Sequence, residues 1–202
     1  MASTKEIRTR MKSVEQTLKI TNAMYLIASS NLRKAKGQLQ QAVPYFTKIY
    51  TTIADILHRS PQLSHHFLDA RPEIPPEKRT VGYIVVSGDK GLAGAYNHNV
   101  LKLAEQRVRS AAHPRLFVVG LVGRAYFQER NIPFETDFSY VVQNPTMSRA
   151  RDISDEMVQR FLAGELDEVH ILYTEMVSAL RLEVRERTLL PLVREDFPWD
   201  PP

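Results

Sequence analysis

The feature that most constrains this chain is a stripe of apolar and small residues in its first quarter. Ile7, Met11, Val14, Leu18, Thr21, Tyr25, Ala28, Leu32, Ala35, Leu39, Ala42, Phe46, Ile49, Ile53 and Ile56 follow alternating spacings of four and three. That is a heptad repeat held for about seven heptads, the pattern of a helix that wraps against another helix. It predicts one helix from Ser3 to His58, roughly 80 Å long at about 1.5 Å per residue. No later stretch of the sequence has the length to cover it. The stripe therefore predicts a partner, either another chain or a second helix of the same protein.

The first turn carries its own start signal, because Ser3-Thr-Lys-Glu6 matches the S-x-x-E capping box. Ala28, Ser29, Ser30 and Ala35 keep part of the stripe small, so a partner can approach closely there. Gly37 and Pro44 weaken the helix, but the pattern survives both, which predicts a kink near Pro44 rather than an end.

Charge is distributed unevenly. Residues 1–40 hold eight basic residues (Lys5, Arg8, Arg10, Lys12, Lys19, Arg33, Lys34, Lys36) against Glu6 and Glu15, a local +6. The net charge of the chain is +4, so the remaining 162 residues sum to −2. A cationic helix suits an acidic partner surface. Nucleic acid is not expected, because the heptad stripe interrupts the basic residues and no reading module accompanies them. No apolar run approaches the roughly 18 residues of a membrane span. The charged N-terminus has no signal-peptide core, so export is not expected. The chain contains no cysteine, which excludes disulfides and thiolate metal sites and fits a reducing compartment.

Residues 59–79 read as a proline-rich connector, with Pro72, Pro75 and Pro76 among charged neighbours. His65, His66 and Asp69 lack a third ligand at a sensible spacing and read as surface residues. From Thr80 the period changes. Val81–Val86 predicts a buried strand, followed by a glycine-rich turn from Ser87 to Gly94 and a helix capped by Asn97 or Asn99, with Val100, Leu103, Ala104 and Val108 inward. Leu116–Val122 predicts a second strand, Arg124–Arg130 a short helix, and Phe134–Val142 an irregular or edge strand. Ser148–Ala163 predicts a helix with Ile153, Met157, Phe161 and Leu162 inward. Glu168–Thr174 and Leu182–Leu192 predict the last two strands, the final one antiparallel. The fold class is α/β: a long N-terminal coiled-coil helix, then a Rossmann-like, mostly parallel sheet covered on both faces. The implied organisation is 1–58 helix, 59–79 connector, 80–192 α/β domain and 193–202 tail.

One turn resembles a site. Ser87-Gly-Asp-Lys-Gly-Leu-Ala-Gly94 lies between a strand and a helix, where phosphates bind in many α/β proteins. Its glycines are spaced G-x-x-G-x-x-G, which matches neither the dinucleotide fingerprint nor the P-loop. No histidine neighbours a nucleophilic serine in a G-x-S-x-G setting. His170 reads as a satisfied strand histidine, and Asp152, Asp155 and Glu156 read as carboxylates opening a helix, where they suit its dipole. No catalytic residue, metal or cofactor is expected.

Two segments carry a resemblance. Glu6-Ile-Arg-Thr-Arg-Met-Lys-Ser-Val-Glu-Gln-Thr-Leu-Lys-Ile-Thr-Asn-Ala-Met24, continuing through Ala28-Ser-Ser-Asn-Leu-Arg-Lys34, resembles the N-terminal helix of the F-type ATP synthase gamma subunit. Ser87–Asn97 is similar to that family's S-D-[RK]-G-L-[CA]-G-x-x-N loop, shifted by Gly88, and Leu189-Leu-Pro-Leu192 matches its L-L-P-L. The resemblance implies a rotor shaft inside a ring of alpha and beta subunits, with an α/β foot on the epsilon subunit and the membrane c ring. The membrane is met only through that ring, and the gamma chain performs no bond chemistry.

The resemblance further implies that Arg8, Arg10, Lys12, Lys19, Arg33, Lys34 and Lys36 face acidic stretches of beta, and that Met24 touches its lever region. The loop of Lys90, Gly91, Leu92, Ala93, Gly94 and Asn97 falls at the lower shaft, near the foot. The stripe (Ile7, Met11, Val14, Leu18, Tyr25, Leu32, Leu39) is matched in the family by a C-terminal helix some eighty residues further on, so a truncated chain is expected. With no transit peptide and no chloroplast-type cysteine insert, the cytoplasmic face of a bacterial cell membrane is favoured over an organelle. The competing reading is a small-ligand or phosphate-binding α/β domain with a coiled-coil dimerisation arm. An enzyme on the same sheet comes third.

Overall fold

The computed structural model describes residues 3–143, 145–178 and 181–198. The chain divides into two units, one built on the N-terminal helix together with Phe197, the other Pro61–Asp196.

Helix α1 runs from Thr4 to Arg59, 56 residues, and continues through Pro44. The N-cap is Ser3, but the reciprocal capping box does not form. Ser3 Oγ accepts from the Lys5 amide at 3.4 Å, while the Glu6 carboxylate turns to Arg10 at 2.7 Å. An i,i+4 ion pair competes for the carboxylate that the box requires. The stripe residues Ile7, Met11, Val14, Leu18, Tyr25, Leu32 and Leu39 are each 48–70% exposed. Near the other end, Tyr50 packs on Phe197 with ring centroids 5.0 Å apart, and His58 Nε2 lies 3.1 Å from the Phe197 carbonyl.

In the second unit, single 3-10 turns at His66–Leu68 and Pro76–Lys78 precede the sheet. Strands β1 (Thr80–Val86), β2 (His113–Val119), β3 (Glu168–Met176) and β4 (Leu182–Leu190) lie in the order β2-β1-β3-β4. The first three are mutually parallel and β4 is antiparallel to β3. Helices α2 (Ala95–Ser110), α3 (Leu121–Glu129) and α4 (Met147–Leu162) complete the unit.

Alternation along the strands divides the core. Tyr83, Val85, Leu116, Val118 and Leu172 meet Val100, Leu101 and Ala104 of α2 and Phe127 of α3. Ile84, Phe117, Val119 and Val169 meet Met157 and Phe161 of α4, with Phe138 beside them. A mostly parallel sheet buried on both faces is the expected class.

Several sequence expectations need correction. The second strand stops at Val119, because Gly120 at φ 99° turns the chain, and α3 starts at Leu121 rather than Arg124. The apolar run Leu121-Val122 reads equally well as strand or helix. Helix α2 is capped by Gly94, and Asn97 sits inside it. Residues 134–142 contribute one bridge, Val119 to Tyr140, not a strand. Leu162 is 48% exposed, since it turns about 100° away from the buried Met157–Phe161 line. Thr146 caps α4, so Asp152, Asp155 and Glu156 lie beyond its first turn; Glu156 instead pairs with Arg160 at 3.0 Å. The last strand ends at Leu190, short of Leu192.

Few buried contacts should make α1 the first element to open. Hydrogen exchange on the isolated chain is expected to label residues 8–40 at least about tenfold faster than β1 and β3. Equal protection of helix and sheet would contradict this.

Candidate functional site

The turn after β1 is held by its own polar groups. Ser87 is fully buried. Its amide donates to the Val119 carbonyl at 2.9 Å, as does its hydroxyl at 3.1 Å, while Oγ accepts from the Gly123 amide at 2.9 Å. This proximity explains two glycines. A Cβ on Gly120 would lie 2.3 Å from the Ser87 carbonyl oxygen, and one on Gly123 would lie 2.7 Å from Ser87 Oγ. Gly88 donates to Asn97 Oδ1 at 2.7 Å and its carbonyl accepts from the Val122 amide at 3.0 Å. Asp89 accepts from the Leu121 amide at 3.2 Å and from the Gln143 amide at 2.8 Å.

Those bonds tie the turn after β1 to the start of α3. A phosphate at a strand–helix turn is held by free amides of the helix's first turn. The helix that follows this turn is α2, whose Tyr96 amide donates to the Ala93 carbonyl at 3.2 Å, whereas the amides of Leu121, Val122 and Gly123, which serve Asp89, the Gly88 carbonyl and Ser87, open α3.

Beyond this base the loop projects. Lys90, Gly91, Leu92, Ala93 and Gly94 are exposed, and Leu92 reaches 95% exposure at φ 59°. A leucine in the left-handed region costs about 1–2 kcal/mol, here with no burial in return. Asn97, grouped with these residues from sequence, is buried and has a different task. It bridges the Gly88 amide to the Lys90 carbonyl, the latter at 3.4 Å, so it positions the tip rather than presenting itself. Burial pushes the neighbouring Tyr96 phenol up, leaving it neutral near pH 7.

On α1 the basic residues Arg8, Arg10, Lys12, Lys19, Arg33, Lys34 and Lys36 are all exposed. Arg10 pairs with Glu6 at 2.7 Å and Lys19 with Glu15 at 2.8 Å. The other five form no ion pair among the described residues. Between residues 18 and 27 the apolar surface leaves its stripe. Ile20, Met24, Leu26 and Ile27 are 48–67% exposed, and at 100° per residue they fall on several sides of the helix.

An apolar cavity of about 460 Å³ lies between α4 and the sheet, lined by Phe67, Ile84, Met157, Leu189 and Leu190 among others. No ionisable side chain lines it, so it offers no acid or base. Among the described residues no group of three His, Asp or Glu could hold a metal. His170 is engaged by Glu168 at 3.0 Å and Thr188 at 3.3 Å. No helix among the described residues is long and apolar enough to cross a membrane. Sequence reasoning missed Ser87 and Asp89 as anchors. The available signal was the pair Gly120 and Gly123, three residues apart after a strand.

These features define an α/β domain with a self-capped turn, carrying a long helix whose apolar stripe is exposed. The model of the ATP synthase family matches residues 3–200. The ATP synthase gamma chain of Ruminiclostridium cellulolyticum is 44% identical over 201 residues, covering 97% of this chain and 68% of that one. That of Acetivibrio thermocellus is 43% identical, covering 95% and 64%. The gamma chain of Acetobacterium woodii, described as sodium ion specific, is 35% identical over 95% of this chain and 62% of its own length. A chain in the central stalk and c-ring structure of Tetrahymena thermophila mitochondrial ATP synthase shares the fold. Its TM-score is 0.63 at 19% identity, covering 85% of this chain and 72% of that one. The chain belongs to the ATP synthase gamma-chain family and spans about two thirds of the length of these curated relatives.

Adding a methyl at Gly123 tests the packing of the turn. Gly123→Ala is expected to lower unfolding free energy by about 1–3 kcal/mol in urea denaturation, through contact with Ser87 and Val118. The double variant Ser87→Ala/Gly123→Ala should recover part of that loss. No recovery would show that Ser87 does not dictate the glycine.

Proposed function

We propose that this chain is the central rotor subunit of an F-type ATP synthase and performs no bond chemistry of its own. In this reading residues 1–58 are the shaft, 59–79 the connector, 80–192 the foot and 193–202 the tail. The shaft turns within a ring of alpha and beta subunits, while the foot meets the epsilon subunit and the membrane c ring. Ion flow through the c ring turns the shaft, and its asymmetry biases each beta subunit among conformations of different nucleotide affinity. The complex sits on the cytoplasmic face of a bacterial cell membrane, and this chain meets the membrane only through the c ring.

One observation carries the reading. Helix α1 exposes its heptad stripe along its length and, near Met24, apolar residues on several sides as well. A second helix would cover the stripe, but only a surrounding sleeve covers Ile20, Met24, Leu26 and Ile27 together. Arg8, Arg10, Lys12, Lys19, Arg33, Lys34 and Lys36 suit acidic surfaces on that sleeve. The exposed tip from Lys90 to Gly94, with Leu92 foremost, is the second contact element in this reading. The phosphate-binding alternative has no motif behind it, since the G-x-x-G-x-x-G spacing of the turn matches neither the dinucleotide fingerprint nor the P-loop.

Native mass spectrometry of the complex purified from source membranes tests this assignment. One copy of the chain with three alpha and three beta subunits is expected; a free monomer or homodimer would overturn it. Replacing Leu26 and Ile27 together by Glu should leave the unfolding of the α/β unit unchanged, within about 0.5 kcal/mol. The same change should weaken assembly with alpha and beta by about tenfold or more. Undiminished assembly would remove this stretch from the interface.

A further inference from the structure

The connector is built as a clamp. Arg79 gathers the segment into a closed loop, donating to the carbonyls of Ile74 at 3.0 Å, Ala70 at 2.9 Å and Arg71 at 3.0 Å, and to Glu168 at 2.6 Å. Arg71 ties the same loop to the domain. Its guanidinium donates to Asp167 at 2.6 Å, to the Leu166 carbonyl at 2.9 Å and to the Phe161 carbonyl, and its Cζ lies 4.5 Å over the Phe161 ring. Asp167 completes the tie, because its other oxygen accepts from the Thr80 amide at 2.8 Å, at the first residue of β1. The side chains of Arg71 and Asp167 are only 14% and 8% exposed.

The chain leaving α1 at Arg59 enters the sheet through residues 60–79, and beyond β4 Phe197 meets α1 again. A proline-rich linker of that length is ordinarily a semi-rigid tether. Here one guanidinium joins the last turn of α4, the turn before β3 and, through Asp167, the start of β1. The planar guanidinium supplies several donors at fixed angles, which a lysine cannot match. Burial raises the Glu168 carboxyl, but bonds from Arg79 and His170 outweigh it and hold the group below its usual range, so it is ionised beside Arg79.

We propose that residues 70–79 are a clamp through which turning force passes along the chain between the long helix and the sheet, with Arg71 as its key positioning residue. The proposal rests on the rotor reading. It predicts a defect that appears under load and is absent without it.

The test uses the whole complex in sealed vesicles, with Arg71→Ala and Arg71→Lys compared against the parent. ATP hydrolysis is measured with the gradient collapsed by ionophore. The steady gradient is measured without ionophore, as proton uptake by a pH dye and as sodium-22 uptake. Arg71→Ala is expected to keep the parent's unloaded hydrolysis while its steady gradient falls roughly threefold or more. Arg71→Lys, keeping charge beside Asp167 but losing the carbonyl ties, should fall between. A gradient equal to the parent's, or hydrolysis and gradient lost in equal proportion, overturns the clamp. If Arg71→Ala does not assemble, the same ratio in Arg71→Lys decides the question. A parent complex that hydrolyses ATP but builds no gradient would count against the rotor reading instead.

Discussion

Everything about this chain turns on where the apolar stripe of α1 finds cover. An isolated helix owes most of its stability to packing of its apolar face, not to intrinsic propensity. Covering a Leu, Ile, Met or Phe contributes about 1.5–3 kcal/mol per side chain. In α1 those side chains stand exposed from Ile7 to Phe46, while the buried residues are Ala54 and Leu57. Such a helix is half of an interface, and the α/β unit is the part that folds around its own core.

That division explains the character of the α/β unit. Its first three strands are parallel in the order β2-β1-β3, with an antiparallel β4 at the edge, and a serine–glycine turn follows β1. Ser87, Gly88 and Asp89 bind the amides at the start of α3 and so tie this turn to the neighbouring helix. The turn's polar groups are spent on fixing a projecting tip, with Asn97 bracing it from within α2. The unit's connector is braced in the same way, by Arg71 and Arg79 filling the carbonyls of a proline-rich loop.

Much of this was legible in the residues. The heptad period located α1 to within a residue at each end, because a pattern repeated over fifteen positions leaves little freedom. The strands were found from short apolar runs and the last from its partial alternation, a period that does not by itself set the antiparallel direction the structure shows. Boundaries set by single side chains were not legible. Gly120 ends β2 in the middle of an apolar run, and Asn97 looked like a cap because asparagine so often is one. Long-range pairs were invisible for a different reason. Nothing local to Arg71 signals that its partner is Asp167, 96 positions away. Of the loop residues grouped from sequence, Lys90 to Gly94 lie together at an exposed tip, whereas Asn97 works beneath them.

The account stands on rotation, and rotation can be watched. A fluorescent probe attached at Leu92 through a cysteine substitution reports the angle of this chain within an immobilised complex of alpha and beta subunits. During ATP hydrolysis the account predicts that the probe turns steadily in one direction, and that it stops when ATP is withdrawn. A probe that keeps a fixed angle while the same complex hydrolyses ATP would contradict it.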